Sequence, residues 1–302
     1  MELRNLRALV EVVRRTTFSG AAKELFATQS AVSKAVKQLE DELGMLLLER
    51  NGRNSRLTDA GEIVFKRATS ILTETKDLVT ELSELRGLNR GKLRFGLPSM
   101  GAILFAKSFA LFRKQYPNIE VQLFEHGGRR LEELLLTGNI ELAASLLPLN
   151  PEFESHPIAR QPLKLLISAT HVLARRKTVG IRMLSNIPFV LCEGGFVLNT
   201  HIADACKRLG FAPKIAARSS QVDFVVELVA ANVGVAILPE MIAKRFSHRG
   251  VTALAIDDPQ MEWHMALMWR RGGYLSSAAR AWKTMICESQ AAQVSRKRFP
   301  KT

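Results

Sequence analysis

The chain has 302 residues, of which 47% are hydrophobic and 24% charged, a composition typical of a globular protein with two or three domains. A formal net charge of +14 and a pI near 10.1 favour an anionic partner such as nucleic acid. We find no apolar run long enough to span a bilayer, no cleavable leader and no disulfide framework among three scattered cysteines. The sequence therefore predicts a cytoplasmic protein without a membrane partner.

After a first amphipathic helix, residues 17–39 predict two short helices joined by a tight turn. We expect Ser19 to cap the first of them and Thr28 to cap the second. Apolar side chains recur at helical spacing in the second helix and predict a buried stripe. The stripe consists of Val32, Ala35, Val36 and Leu39.

The opposite face of that second helix carries amides, hydroxyls and lysines, with no acid before Glu40. Short polar side chains hydrogen-bond to base edges, and lysines pair with phosphates. A helix with such a face, held by another helix lying across it, fits the major groove of DNA. The alternative is a small helical bundle whose polar face is merely solvated.

A wing is predicted directly after the second helix. Gly44 ends the helix, and the Asn51-Gly52 dipeptide is a strong hairpin signal with arginines around it. Arginines on a wing contact the DNA backbone or the minor groove. The predicted contacts, first to base edges and then to phosphates, are Gln29, Ser30, Ser33 and Lys34, followed by Lys37, Arg53 and Arg56.

Residues 1–61 resemble the DNA-binding domain of LysR-type transcriptional regulators. The resemblance is carried by Leu3, Leu6, Phe18, Ala21, Ala22, Leu25, residues 28–33, 38–40, 43–44 and 57–61. Two positions depart from the family pattern, because Lys34 stands where arginine is common and Leu48 where phenylalanine is common. The resemblance implies a winged helix-turn-helix over residues 1–58 that binds double-stranded DNA.

A long helix is predicted from about Asp59 to about Arg86, capped by Thr58. Its apolar residues alternate steps of four and three, as in a heptad seam. The seam consists of Val64, Ala68, Ile71, Thr75, Leu78, Leu82 and Leu85. The stripe could pack on its own domain. The family resemblance implies instead that residues 59–90 form a dimerising linker helix, within a homotetramer.

From Lys92 onward, strands and helices alternate, which predicts an α/β domain. Residues 91–302 resemble the effector domain of LysR-type regulators, a two-lobed fold similar to type-2 periplasmic-binding proteins. The resemblance rests on residues 93–96, Phe112, Tyr116, Pro117, Glu125, Leu131, Glu132, Leu135, Gly138, Ala143, Pro188, Phe189 and 234–239. It implies lobe one at about 91–162 and 266–290, lobe two at about 163–265, and strand passages near 161–166 and 263–269. The predicted chain is thus an α+β multidomain protein.

Strand ends and helix N-termini should converge between the lobes, where backbone N–H groups favour a carboxylate or another anion. The predicted effector contacts are Ser99, Met100, Gly101, His126, Gly128, Phe196, Leu198 and Ser220. Three of these residues also have simpler explanations. Ser220 could serve only as a helix cap, His126 could be a surface histidine, and Gly128 could belong to a turn.

Four stretches, 125–135, 145–150, 162–168 and 219–240, resemble the CidR branch of the family. That branch controls overflow-metabolism and murein-hydrolase-regulator genes and is associated with acetate. The resemblance implies a small carboxylate or related metabolite as the effector. No arginine is predicted to point into the cleft, so a small, weakly charged ligand suits it better than a dicarboxylate.

A redox-sensing member of the family uses two cysteines in the second lobe, so Cys192 and Cys206 offer an alternative sensor. Both also fit as buried packing residues. We find no catalytic motif, metal-ligand cluster or cofactor signature. The main hypothesis is an effector-controlled, sequence-specific transcriptional regulator, with RNA polymerase a further candidate partner. The rivals are an architectural DNA-binding protein with a vestigial sensor, and a solute-binding protein or enzyme on the two-lobed fold.

Overall fold

The computed structural model describes residues 1–51, 54–84, 91–98, 100–193, 197–247 and 249–298, without the side chains of 50, 51, 54, 83, 84 and 290–298. The chain divides into two compact units. The first comprises Met1–Arg86 with Leu136–Asn139, and the second comprises Gly87–Leu135 with Ile140–Thr302. None of the helices in these described ranges is long and apolar enough to cross a membrane.

The first unit begins with three helices and a hairpin, followed by a long helix. Its elements are α1 (Leu3–Arg15), α2 (Phe18–Glu24), α3 (Gln29–Leu43), β1 (Leu48–Asn51), β2 (Asn54–Leu57) and α4 (Asp59–Glu84). β1 and β2 pair antiparallel. The apolar stripe of α3 is buried against α1 and α2, so the core of this unit fixes which face of α3 looks outward.

Threonine hydroxyls begin three of these helices. The backbone N–H of Ala31 donates to Thr28 Oγ1 over 3.2 Å, and that of Gly61 donates to Thr58 Oγ1 over 3.0 Å, which confirms both predicted caps. The prediction for α2 was wrong, since Thr17 is the cap and accepts from the N–H of Gly20 over 3.1 Å. Ser19 lies inside the first turn of α2, where its hydroxyl is free to reach another helix.

The predicted heptad seam on α4 has two halves. Val64 and Ala68 pack into the core of the first unit. Further along, Ile71, Leu78 and Leu82 are exposed, the last two by 55% and 53%. Leu85 lies outside the described residues. The prediction of one continuous seam facing a second helix was therefore wrong for its first part, because α1 already covers that end of α4.

The second unit is built on a large mixed sheet. Its strands are β3 (Lys92–Leu97), β4 (Glu120–Glu125), β5 (Leu142–Leu146), β6 (Phe153–Ser168), β7 (Thr178–Val179), β10 (Ala236–Pro239), β11 (Val251–Ile256) and β12 (Glu262–Arg270). Their order is β4-β3-β5-β12-β6-β11-β7, with β10 also on β6. β8 (Pro188–Cys192) and β9 (Lys214–Ser219) pair parallel beside it.

Helices cover these strands. They are α5 (Ala106–Gln115), α6 (Gly128–Leu136), α7 (Val197–Arg208), α8 (Val222–Ala230), α9 (Glu240–Arg245) and α10 (Ser277–Arg298). Trp282 of α10 is fully buried and stacks on Phe109 of α5 with a centroid distance of 4.3 Å. This aromatic contact fixes α10 and α5 against the same end of the sheet.

The strand β6 carries the chain from one part of the sheet to the other. Its residues 153–162 pair with β12, and its residues 163–168 pair with β10 and β11. β12 pairs only with β5 and the first half of β6 among the described strands, so the return passage lies at residues 257–261. The predicted passage at 263–269 was wrong, because that apolar run forms a central strand with a neighbour on each side.

Candidate DNA-binding surface and effector site

The helix α3 presents a polar surface that its own core fixes in place. Val32, Val36 and Leu39 are buried, so the side chains between them turn outward. Gln29, Ser30, Lys34 and Lys37 are exposed, and Ser33 is half-buried at the edge of the face. No acid occupies the first turn of α3, so its positive dipole end is uncompensated.

Two hydrogen bonds restrain the start of this surface. The Ser19 hydroxyl donates to Gln29 Oε1 over 3.2 Å, which ties α2 to α3. The hydroxyls of Thr28 and Ser30 lie 3.1 Å apart. Gln29 is therefore presented in a limited set of orientations before any ligand binds, which reduces the entropy lost on binding.

The wing is anchored on both sides. Glu40 of α3 accepts hydrogen bonds from the backbone N–H groups of Leu47 and Leu48, over 2.8 and 3.2 Å. On the other side, the N–H of Ser55 donates to the carbonyl of Thr16 over 3.3 Å. Arg56 is exposed on β2, opposite Glu49, while Arg53 lies outside the described residues. The wing thus holds at least Arg56 on the surface of the first unit.

In the second unit, a cavity of about 20 Å³ lies where strand ends and helix starts converge. That volume holds about one water molecule. Its lining is mostly apolar and consists of Pro98, Met100, Gly128, Ser145, Leu146, Val197, Leu198, Trp263 and Met265. No charged side chain lines it within the described part of the chain.

The lining includes three of the predicted effector residues, Met100, Gly128 and Leu198. Gly101 is buried beside Met265 without lining the cavity. His126 and Ser220 are exposed and are not among the residues that line this cavity, so their place in the effector site stays a prediction. The predicted residues Ser99 and Phe196 lie outside the described residues.

The alternative explanation of Ser220, as a helix cap, was wrong. α8 begins at Val222 with Gln221 as its N-cap, and no side chain caps it. Instead, Ser219 Oγ accepts from the N–H of Gln221 over 3.1 Å, one residue before the helix. A serine two residues before the first helical position is too early in the chain to reach the orphan N–H groups of the first turn.

Sequence reasoning missed Ser145, which is 2% exposed and whose hydroxyl has no hydrogen-bond partner in the described protein. A Cβ on Gly128 would lie 2.8 Å from this hydroxyl and 2.9 Å from Val197 Cγ2. The absence of a side chain on Gly128 therefore leaves room beside the buried Ser145 hydroxyl. A polar residue inside the apolar strand β5 was the available signal.

Ionisable side chains lie on α7 and β12, two elements that also supply residues to the cavity lining. His201 of α7 is half-buried and hydrogen-bonds to the backbone of Leu147. Burial, helped by His264, lowers the pKa of His201, against the smaller opposing effects of Asp204 and that hydrogen bond. His264 Nε2 lies 2.9 Å from Glu262, whose pKa is lowered chiefly by its hydrogen bond with Arg160. At neutral pH the buried edge of α7 is therefore uncharged at His201.

The two cysteines of the alternative sensor are buried. Cys192 lies on β8 and Cys206 on α7. Burial raises the pKa of the Cys192 thiol to about 11 and also raises the pKa of Cys206. A protonated, inaccessible thiol is a poor target for peroxide. These surroundings do not favour the redox alternative.

Comparison with known proteins agrees with this anatomy. The family model "LysR substrate binding domain" matches residues 86–291, and "Bacterial regulatory helix-turn-helix protein, lysR family" matches residues 3–62. The chain is 37% identical over 284 residues to the uncharacterized HTH-type transcriptional regulator YwbI of Bacillus subtilis (strain 168), covering 93% of this chain and 94% of that protein. It is 32% identical over 285 residues to the transcriptional dual regulator GltC of the same strain, covering 92% and 94%.

Solved structures share the fold. A full-length OxyR from Pseudomonas aeruginosa matches with a TM-score of 0.61 and 23% identity over 96% of this chain and 94% of that one. CbnR, a LysR family transcriptional regulator, matches with a TM-score of 0.60 and 21% identity over 96% and 99%.

A winged helix-turn-helix followed by an effector-binding α/β domain defines a ligand-controlled DNA-binding regulator. This chain belongs to the LysR family of transcriptional regulators. It is a DNA-binding transcriptional regulator with an effector-binding domain, and its family is one of regulators rather than enzymes.

Proposed function

We propose that α3 enters the major groove and reads a specific operator. Gln29, Ser30, Ser33 and Lys34 would contact base edges, while Lys37, Arg53 and Arg56 would contact phosphates. The observation that carries this proposal is the outward polar face of α3, whose opposite side is locked into the core of the first unit. Its hydroxyl, amide and ammonium groups match the donors and acceptors of the groove.

Selection from random duplexes tests this reading of DNA. The full-length protein should enrich a two-fold related sequence, and it should bind that sequence at least about a thousandfold more tightly than random DNA. Equal affinity for selected and random duplexes would instead support the architectural alternative, in which binding comes only from phosphate contacts.

We further propose that the protein assembles as a homotetramer. In the second half of α4, Ile71, Leu78, Val79 and Leu82 expose apolar side chains, and a second copy of the helix would bury them. The effector unit carries further exposed apolar residues on α5, β4, β9 and α8, namely Leu111, Leu123, Ile215 and Phe224. β4 ends the order of the main sheet. A second, separate interface there would join dimers into a tetramer.

The effector, in this proposal, is a small carboxylate bound at the cavity between the strand ends. The N–H groups at the start of α6 and the partnerless hydroxyl of Ser145 would receive the carboxylate, and Met100, Trp263 and Met265 would surround its apolar part. A cavity of about 20 Å³ is too small for acetate, so binding requires the walls to separate. Ligand binding then shifts the population of conformers.

The link to the CidR branch and to acetate remains part of this proposal. Thermal unfolding of the full-length protein with acetate, propionate, pyruvate or chloride tests it directly. A stabilisation by one carboxylate over chloride at equal ionic strength supports a carboxylate effector. Equal curves in all four salts would rule out these carboxylates.

We also propose that the protein acts in the cytoplasm, where its operator is found, and that it contacts RNA polymerase there.

A further inference from the structure

Phe26 lies in the turn between α2 and α3 and is 98% exposed. It also has a positive φ of 51°, in the left-handed region that bulky side chains rarely adopt. A large apolar side chain is thus fully in water on a backbone geometry that disfavours it. Both features are unfavourable in the isolated protein, which points to a role in contact with another molecule.

The backbone explains why this position is left-handed. The N–H of Ala27 donates to the carbonyl of Ala22 over 2.9 Å, and the N–H of Phe26 donates to the carbonyl of Lys23 over 3.3 Å. These paired bonds are the Schellman arrangement that ends a helix, and its left-handed residue is usually glycine or asparagine. The turn would therefore form more easily with either residue than with Phe26.

The position of Phe26 also suggests its partner. It is three residues before Gln29, so their Cα atoms are at most about 11 Å apart, or about three base-pair steps. Lys23 and Gln29, on either side of it, are exposed. The nearby carboxylate of Glu24 is paired with Arg15, which lessens its repulsion of phosphate. The surroundings of the ring are thus suited to DNA.

We propose that Phe26 packs against the 5-methyl group of a thymine within each half-site and selects thymine there. This inference rests on the proposed reading of DNA by α3. A phenyl ring cannot hydrogen-bond to a base edge, but the thymine methyl is an apolar feature of the major groove that it can cover. Phe26 would add thymine selection to a surface that otherwise recognises hydrogen-bonding groups.

The test uses the full-length protein and an operator selected from random duplexes. Each thymine is replaced in turn by deoxyuridine, which removes only the methyl group. We expect one of these replacements to weaken wild-type binding about fourfold, as expected for the loss of one buried methyl group. That thymine should lie within about three base pairs of the base pair whose recognition Gln29→Ala alters. Phe26→Asn should bind the unmodified operator about fourfold more weakly and should be insensitive to that replacement.

Thermal unfolding distinguishes a folding defect in Phe26→Asn from the loss of a DNA contact. Asparagine suits the left-handed position, so Phe26→Asn should unfold at the same or a higher temperature than the wild type. The matched control is Val172→Asn, another exposed apolar position, 81% exposed in the second unit, which should leave DNA binding unchanged.

Three results would overturn the inference. In the first, Phe26→Asn binds the operator as tightly as the wild type. In the second, it keeps the same sensitivity to deoxyuridine. In the third, it loses affinity for all duplexes by the same factor, which would indicate a contact to the sugar and not to a base. If Gln29→Ala and Ser33→Ala still alter base preference, only the role of Phe26 fails. If these variants are also silent, the proposed reading by α3 fails with it.

Discussion

The hydroxyl of Ser19 on α2 donates to the side-chain oxygen of Gln29 on α3 over 3.2 Å. This bond crosses the turn of the helix-turn-helix and restrains the first exposed side chain of α3. The same residue that fails to cap α2 thus prepares the proposed DNA-binding surface. Recognition in this account depends on a side chain held in place before DNA arrives.

Removing that hydroxyl should weaken base discrimination. Ser19→Ala frees Gln29, and a lost hydrogen bond of about 1 kcal/mol corresponds to about a fivefold loss of discrimination at the base pair that Gln29 reads. Fluorescence anisotropy with the operator and its single-base variants measures this loss. Ser247→Ala, which removes a hydroxyl in the second unit that donates to the carbonyl of Lys244, is the control. An unchanged pattern of discrimination in Ser19→Ala would show that the bond does not matter.

Base and phosphate contacts should separate by salt dependence. Ser33→Ala should relax specificity more than it weakens non-specific binding, because a base contact carries sequence information. Arg53→Ala and Arg56→Ala should weaken binding to all sequences and flatten the slope of log affinity against log salt by about one unit. Lys107→Ala, at an exposed position of α5, should change neither. If Ser33→Ala and Arg56→Ala behaved alike across sequences and salt, the assignment of contacts would be wrong.

The exposed half of α4 should hold the dimer together. Leu78→Glu places a charge in each copy of the apolar stripe, and two lost leucine burials of about 2 kcal/mol each should weaken dimerisation about a thousandfold. Sedimentation velocity over a concentration series measures the change. Glu81→Gln, at an exposed position of the same helix, is the matched control. A dimer constant unaffected by Leu78→Glu would place the interface elsewhere.

Removing the Ser145 hydroxyl, which lacks a hydrogen-bond partner, should have opposite effects on stability and on effector binding. Ser145→Ala should raise the free energy of unfolding by about 1 kcal/mol, because it removes a buried unsatisfied group, and it should abolish stabilisation by the effector. Ser168→Ala is the control, since that buried hydroxyl donates to the carbonyl of Ala230 over 3.2 Å and its loss should destabilise. Denaturant unfolding with and without the carboxylate measures both effects. Lower stability in Ser145→Ala would mean that its hydroxyl has a partner in the folded protein.

His201 should make stability fall at acid pH. Its pKa is lowered in the folded protein, mainly by burial, so the unfolded chain binds the proton more tightly. The associated stability is complete above the unfolded pKa of about 6.5 and is lost as pH falls through the lower folded value. His201→Gln should therefore lose less stability than the wild type between pH 7 and pH 5. Urea unfolding across this range measures the difference, with the exposed His126→Gln as the control for loss of a histidine. Parallel curves for wild type and His201→Gln would contradict this account.

Local patterns predicted the first unit well. The spacing of Val32, Val36 and Leu39 fixed the buried face of α3, and Thr28 and Thr58 were recognisable as caps because capping chemistry depends on a few neighbouring atoms. Ser19 could not be told from Thr17 as a cap, since both residue types serve and the choice depends on where the preceding chain bends.

The effector cavity was only partly predictable. Met100 and Gly128 lie shortly after β3 and β4, and the expectation that a ligand binds at strand ends identified them. Trp263 and Met265 come instead from β12, which is distant in sequence. Ser145 was missed because a single serine in an apolar strand gives no sign of whether its hydroxyl has a partner. Such information resides in contacts between distant segments, as does the partial covering of α4 by α1.

The most direct test of the account is a nuclease footprint of the full-length protein on a selected operator, with and without short carboxylates. We expect a protected two-fold site whose length or position changes when one carboxylate is added, and does not change in chloride at the same ionic strength. A two-fold site that is indifferent to every carboxylate would contradict the proposed effector. Uniform protection without a preferred site would contradict the claim that α3 reads a specific sequence.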